Sequence, residues 1–271
     1  MPEATVIQYT PTPLTVAALA DKLRACGMAS GQTVLVHTAM SKLGWVSGGP
    51  QAVIMALIAV LGDSGTLMMP THTGSNTDPQ GWQNPPVPES WWPVIRAHRP
   101  AYDPATSPTR QMGAVAELFR TWPGTIRSAH PVVSFAARGP HAAALTADHP
   151  LTGELGDQSP LGRLYDLDGY VLLLGVGHGN NTSLHLAEFR ADFPGKKTLP
   201  NGCAMLVDGQ RQWVQYDSLD INDGDFVTIG QAFDVAHAIP VQQITQAEVR
   251  FFKQRAVVDF AVTWMEQNRN F

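Results

Sequence analysis

Two stretches of this chain combine residue types that can move protons or hold charge. In Asn181-Thr-Ser-Leu-His-Leu-Ala-Glu-Phe-Arg-Ala-Asp192, the residues Asn181, His185, Glu188 and Asp192 fall at i, i+4, i+7 and i+11, so in a helix they share one polar stripe. A carboxylate three residues from an imidazole can hold it in one tautomer with its other nitrogen free, which is what a general base near neutral pH requires. The same spacing also suits an ordinary solvated helix face. The second stretch begins at His37, which ends an apolar run and is followed by Thr38-Ala-Met-Ser41 and Gly44-Trp-Val-Ser-Gly-Gly49. Small and hydroxyl residues opening a helix offer donors to a phosphate or a developing oxyanion; the alternative is a loop with ordinary helix caps.

Other chemistry-bearing patterns are weaker. Gly62-Asp-Ser-Gly65 spells a serine-protease signature, but it lies between a helical and a strand pattern, where turn geometry selects those residues. No nucleophile elbow, Walker loop or dinucleotide fingerprint is present. Gly175-Val-Gly-His-Gly179 follows an apolar run and precedes the His185 helix, so its backbone N–H groups can line a cleft at the carboxyl end of a sheet. His37, His72, His178 and His185 show no metal-ligand spacing, and no metal is expected. Cys26 and Cys203 have no Cys or His neighbour at ligand spacing and are expected to be small core hydrophobes.

The elements that must position these residues alternate. Helical spacing over 15–27 ends in Gly27, a C-cap signature. A strand over 32–37, a helix over 51–61 and a strand over 66–70 make a strand–helix–strand unit, which implies parallel pairing. A segment over 71–108, rich in Pro, Trp, Asn, Asp and Gly, is too long for an ordinary connection and is expected to carry function. A helix over 113–122 and a strand within 128–139 follow. Tyr170–Val176 reads as a strand buried on both faces, then comes a helix over 181–192 with Asn and Thr for capping. The remainder predicts strands near 197–207 and 213–217, a helix near 225–236, a strand near 241–246 and an amphipathic helix over 254–267. The class is α/β without internal repeats.

With 271 residues, 44% hydrophobic and 15% charged, the chain can bury a sizeable core. No linker divides it, which predicts one domain over 1–271. The net charge of −5 argues against nucleic-acid binding and is compatible with a cationic small substrate. The apolar runs are too short for a membrane span, and the first residues lack a secretory signal pattern, so a cytoplasmic location is expected.

Several segments carry a more specific signal: Val36-His-Thr-Ala-Met-Ser-Lys-Leu-Gly-Trp-Val-Ser-Gly-Gly49, Tyr102-Asp-Pro-Ala-Thr-Ser-Pro-Thr-Arg110, Arg127-Ser-Ala-His-Pro131, Leu172-Leu-Leu-Gly-Val-Gly-His178 and Asn181-Thr-Ser-Leu-His-Leu-Ala-Glu188. In order and spacing they closely resemble the aminoglycoside 3-N-acetyltransferase family, over nearly the whole chain. The resemblance implies a three-layer α/β/α fold with a mixed, partly parallel sheet, unlike the histone-acetyltransferase-related fold. It implies acetyl-coenzyme A (acetyl-CoA) as co-substrate, the 3-amino group of a 2-deoxystreptamine antibiotic as acceptor, and a monomer or homodimer.

By the same resemblance His185 is the catalytic histidine, Glu188 is the acidic neighbour expected from helix geometry to orient it, and His178 becomes pocket lining. Relatives usually have two serines after the first histidine; here Thr38 and Ala39 stand there. The coenzyme is expected along His37, Thr38, Ala39, Ser41 and Gly44, with Ser107, Arg110, Ser134 and Phe135. The cationic acceptor is expected to meet Asp78, Glu89, Asp103, Asp157 and Glu188. A transferase for another amine, or an idle coenzyme-binding module, would share these features.

Overall fold

The computed structural model describes residues 3–270. Two helices, α1 (Glu3–Gln8) and α2 (Val16–Ala25), lead into β1 (Thr33–Thr38). The chain continues through α3 (Gly49–Leu61), β2 (Thr66–Pro70), α4 (Trp92–His98), α5 (Gly113–Phe119), β3 (Ile126–Arg127) and β4 (Phe135–Arg138). Next come α6 (Ala142–Thr146), α7 (Pro160–Asp166), β5 (Tyr170–Leu174), α8 (Ser183–Arg190), β6 (Thr198–Val207) and β7 (Gln210–Leu219). The last elements are α9 (Phe226–Ala236), β8 (Gln242–Ile244), β9 (Ala247–Lys253) and α10 (Gln254–Asn268).

Seven strands form one sheet in the order β3-β4-β2-β1-β5-β9-β8. Its centre, β2-β1-β5, is parallel and every outer pairing is antiparallel. The sheet is therefore mixed, as the resemblance implies. Alternate side chains of the central strands point to opposite faces. Val34, Val36, Leu67 and Met69 join residues of α2, α3 and α5 in one core. Leu35, Met68, Val171 and Leu173 join residues of α6 to α10 in the other. Helices thus cover both faces, and each fully buried Leu, Val or Met side chain contributes about 1.5–3 kcal/mol by leaving water.

Local signals in the sequence formed as read at several points. Thr15 caps α2, its hydroxyl accepting from Ala18 N at 3.2 Å, and Gly27 follows at φ +97°. The Gly62–Gly65 stretch is a turn, with Gly65 N donating to Gly62 O. Both cysteines are buried thiols. Among the described residues no helix is long and apolar enough to cross a membrane.

Several boundaries differ. The strand expected within 128–139 shrinks to Phe135–Arg138, because the N–H groups of Val132 and Val133 donate to His130 Nδ1 and that of Phe135 to Ser128 Oγ instead of to a neighbouring strand. The helix expected over 113–122 ends at Phe119. Asp192 falls outside α8, since Ala191 is extended (ψ 142°). β6 and β7 form a ten-residue ladder closed by Asp208 and Gly209, both at positive φ (51° and 75°). An Asp-Gly pair of that kind fits the right-handed twist of a hairpin. The strand expected at 241–246 is the short β8, after which Thr245 at φ 55° turns the chain into the unanticipated β9.

Candidate active site

The carboxyl ends of the three parallel strands open toward the same side, which is where α/β sheets place their clefts. His37 and Thr38 end β1 beside Leu173 and Leu174 of β5. Thr71 and His72 follow β2, and the Gly175–Asn181 loop carries β5 into α8. Gly175 sits at φ +74° with Ala39 O only 3.2 Å from where a Cβ would lie. The two strand-end loops approach so closely there that a side chain would separate them.

Asn181 caps α8: its Oδ1 accepts from Ser183 N at 3.2 Å, whereas Thr182 makes no side-chain cap bond. One turn later, Nδ1 of His185 donates to Oε2 of Glu188 at 2.5 Å. The Glu188 side chain is 1% exposed and that of His185 15%. The stripe is therefore not a solvated face; it is an interior polar row. The other oxygen of Glu188 accepts from Asn222 N at 2.9 Å and from Arg269 Nη1 at 2.7 Å. With Nδ1 engaged, Nε2 is the nitrogen left to accept a proton. The ring lies 4.8 Å from that of Phe226, which fixes its plane.

Two clefts lie near His185, and His185 itself lines neither. The smaller, about 470 Å³, is lined by His37, Thr38, Ala39 and Ser41 on one side, and by Gln111–Ala114, Asn180 and Thr182 on the other. The larger, about 810 Å³, lies between the long 71–108 segment and the β6–β7 hairpin and is lined by Asp78, His130, Glu154, Tyr216, Ser218 and Asp220. His185 is near enough to His37 of the first and to Glu154 of the second for its charge to act on both. Among the described residues no group of His, Cys, Asp and Glu gathers as metal ligands would.

Burial sets the charge of the surrounding groups. Desolvation, with repulsion from His185, pushes His37 down to about 3. Burial likewise takes His130 to about 4 and His149 to about 3, and holds His72 well below the usual imidazole range. Glu154 is pushed up by burial, against the hydroxyl of Ser218 that donates to it. His37, His130 and His149 stay neutral when folded but take up protons below about pH 6.5 when unfolded. Between about pH 6.5 and pH 4 the unfolded chain thus binds more protons, and stability falls as pH falls, by up to about 1.4 kcal/mol per histidine per pH unit. The thermal unfolding midpoint is expected to be clearly lower at pH 5 than at pH 7; equal midpoints would contradict the buried neutral state.

The expected coenzyme contacts divide. His37, Thr38, Ala39 and Ser41 line the smaller cleft. Gly44 does not: it is a turn residue at φ +72° facing Thr10, whose hydroxyl is 2.9 Å from its would-be Cβ. Ser134 is fully buried and held by Arg127 and Thr71, and Phe135 is core, so neither lines the smaller cleft. Ser107 accepts from Asp103 N, and its carbonyl accepts from Arg127. Arg110 is exposed and reaches Asn84 O at 3.2 Å. The cleft wall nearest them is Gln111–Ala114 instead.

The expected acceptor carboxylates are corrected more heavily. Asp78 lines the larger cleft but is paired there with Arg96 at 2.8 Å. Asp103 caps a turn through Ala105 N and Thr106 N, Asp157 is exposed and pairs with Arg190, and Glu89 is exposed on a single turn. Glu188 is buried and shares its oxygens among His185, Asn222 N and Arg269, and it lines neither cleft. His178 is not pocket lining: it is 4% exposed, its Nε2 is 2.9 Å from Asp234 Oδ1, and it packs on Gly230 where any Cβ would collide. Glu154, Tyr216, Ser218 and Asp220 were not anticipated: the strands of the hairpin were legible, but nothing along the sequence shows that the hairpin and the 151–157 loop fold over the same cleft.

The family model described as aminoglycoside 3-N-acetyltransferase matches residues 35–266. The chain is 43% identical, over 97% of its length and 96% of the relative's, to the SPbeta prophage-derived aminoglycoside N(3')-acetyltransferase-like protein YokD of Bacillus subtilis (strain 168). A crystal structure of YokD superposes with a TM-score of 0.95 at 42% identity, covering 98% of both chains. AAC-IIIb, solved as a binary complex with CoASH, matches with a TM-score of 0.85 at 32% identity over 96% of this chain and 98% of its own. AAC-VIa bound to sisomicin matches with a TM-score of 0.86 at 29% identity over 95% and 99%. A family match over most of the sequence, and a relative aligned almost end to end, place this chain in the aminoglycoside 3-N-acetyltransferase family of acyltransferases.

Proposed function

We propose that this chain transfers the acetyl group of acetyl-CoA to the 3-amino group of a 2-deoxystreptamine aminoglycoside in the cytoplasm, conferring resistance to that antibiotic. The observation that carries this reading is the His185 imidazole, held at Nδ1 by a buried carboxylate and close enough to His37 of the smaller cleft and Glu154 of the larger for its charge to act on both. The smaller cleft suits an extended arm that is partly apolar and partly amide: Met40, Met69 and Met112 supply soft walls, and Thr38, Gln111, Asn180 and Thr182 supply polar groups. The larger has the acidic and hydroxyl lining that a polyol amine needs, in Glu154, Tyr216, Ser218 and Asp220. Relatives seen with CoASH and with sisomicin support the two substrate classes.

Bound acetyl-CoA supplies an electrophilic thioester carbonyl. His185 Nε2 takes the proton that the ammonium of the acceptor must lose, and Glu188 holds the imidazolium so formed. The free amine attacks the thioester carbon to form the N–C bond, and the C–S bond breaks to release the coenzyme thiolate. The imidazolium returns its proton to that sulfur, while the acetylated nitrogen gives up its second proton to solvent. Donors at His37 and Thr38, which line the smaller cleft, would stabilise the negative charge that develops on the carbonyl oxygen. Both cysteines are buried, and burial pushes the Cys203 thiol up to about 12, which leaves no activated thiol for a covalent route.

Asp78 is already neutralised by Arg96 within the larger cleft. That favours, as a second reading, an acceptor amine with fewer charges than a typical antibiotic. Spectrophotometric thiol release from acetyl-CoA in the presence of gentamicin-type, kanamycin-type and apramycin-type compounds separates the two. Release is expected with at least one of them and is expected to vanish when its 3-amino group is already acetylated. Silence with all three, alongside release with a small mono- or diamine, would replace the first reading by the second.

A further inference from the structure

We infer that Arg269, at the end of α10, is a positioning residue for the His185 base: its guanidinium fixes the charge and orientation of Glu188 and so sets the proton affinity of the imidazole. This rests on the proposed role of His185. Arg269 is 1% exposed, which is extreme for an arginine. Its Nη1 donates to Glu188 Oε1 at 2.7 Å, while Nε and Nη2 form a fork on Asp225 at 2.8 and 2.7 Å. Nη2 also donates to Asn222 O at 2.9 Å. Asn222 in turn donates its N–H to Glu188 Oε1. The carboxylate that grips His185 Nδ1 is therefore held on its far side by α10 and by the loop before α9. The Arg269 guanidinium also lies 5.0 Å from the Phe193 ring.

The consequence is electrostatic as well as steric. Around His185 stand His37, His72 and Glu154 from the strand-end and cleft loops. Around Glu188 stand Arg269, Asp225 behind it, and the Lys196 ammonium, which bonds the last carbonyls of α8. In this set Arg269 is the cation bonded directly to the orienting carboxylate. It pulls the carboxylate's charge toward its own side and away from Nδ1, which weakens the hold of Glu188 on a protonated ring. Asp225 moderates the same effect in the opposite sense.

The test is an NMR titration of the His185 ring in the full-length protein, joined to the pH profile of acetyl transfer. Arg269→Gln is expected to raise the proton affinity of His185 by about tenfold or more, moving the acidic limb of kcat/KM to higher pH, so that activity lost at neutral pH returns partly in alkali. Asp225→Asn, which leaves Arg269 less compensated, is expected to shift the titration the other way, and Arg269→Lys to restore most of the parent value. If Arg269→Gln does not fold, the Asp225→Asn and Arg269→Lys titrations decide the matter. Unchanged His185 midpoints in the folded variants, or activity lost equally at every pH, would overturn the inference. The titration needs no turnover, so a protein that fails to acetylate any amine refutes the proposed function without touching this result.

Discussion

Replacing His185 by alanine is expected to lower turnover by about 10²–10⁴-fold, the usual contribution of a positioned general base, while leaving affinity for acetyl-CoA largely intact. The separation follows from where the groups lie. The residues lining the smaller cleft come from the end of β1, the start of α5 and the loop before α8. None of them hydrogen-bonds to the imidazole, whose protein hydrogen bond goes to Glu188. Removing the ring therefore takes away the proposed proton acceptor and leaves the cleft walls in place. Steady-state thiol release, with calorimetry of coenzyme binding, measures both quantities. A variant that keeps its turnover would show that the amine arrives already deprotonated, or that another group accepts its proton.

Glu188→Ala is expected to be the most damaging single change to stability near the site. The carboxylate is 1% exposed and shares its two oxygens among His185, Asn222 N and Arg269. Removing one partner of a buried ion pair leaves the other poorly compensated, at a cost of about 3–5 kcal/mol. Asp225 still holds the guanidinium, which places the expected loss near the lower end, about 3 kcal/mol. Glu188→Gln keeps the shape and an acceptor for Asn222 N but not the charge, so it is expected to fall between parent and alanine. Urea unfolding of the three proteins reads this directly. Equal midpoints would mean that the buried row contributes nothing to folding. Activity is expected to drop in both variants, because the imidazole loses the group that fixes its tautomer.

Much of the frame was readable before any coordinates. The β-branched and apolar runs at 32–37, 66–70 and 170–176 became the parallel centre of the sheet, because strands buried on both faces need continuous apolar sequence. Gly27 and the Gly62–Gly65 turn were legible because backbone geometry restricts which residues serve there. Elements of five to seven residues such as α4, α6 and α7 were not, since so short a segment completes too few turns for periodicity to register. β9 escaped although Ala247, Val249 and Phe251 alternate with Glu248 and Arg250, because it follows β8 after a turn of only two residues, where a single strand ending at 246 was expected.

The site divides along the same line. His185 and Glu188 lie three residues apart on one helix, so local geometry alone determined that they would meet, and His37 ended its strand where a cleft was expected. Which carboxylates face that cleft was a tertiary matter. Asp103 and Asp157 were diverted to a turn and to Arg190, Glu154 was brought in from a loop without pattern, and Arg269 reached Glu188 from 81 residues away. Short-range steric and hydrogen-bonding preferences are written into neighbouring residues. Which charges end up together depends instead on how helices and hairpins pack over the sheet, and no spacing along the chain encodes that.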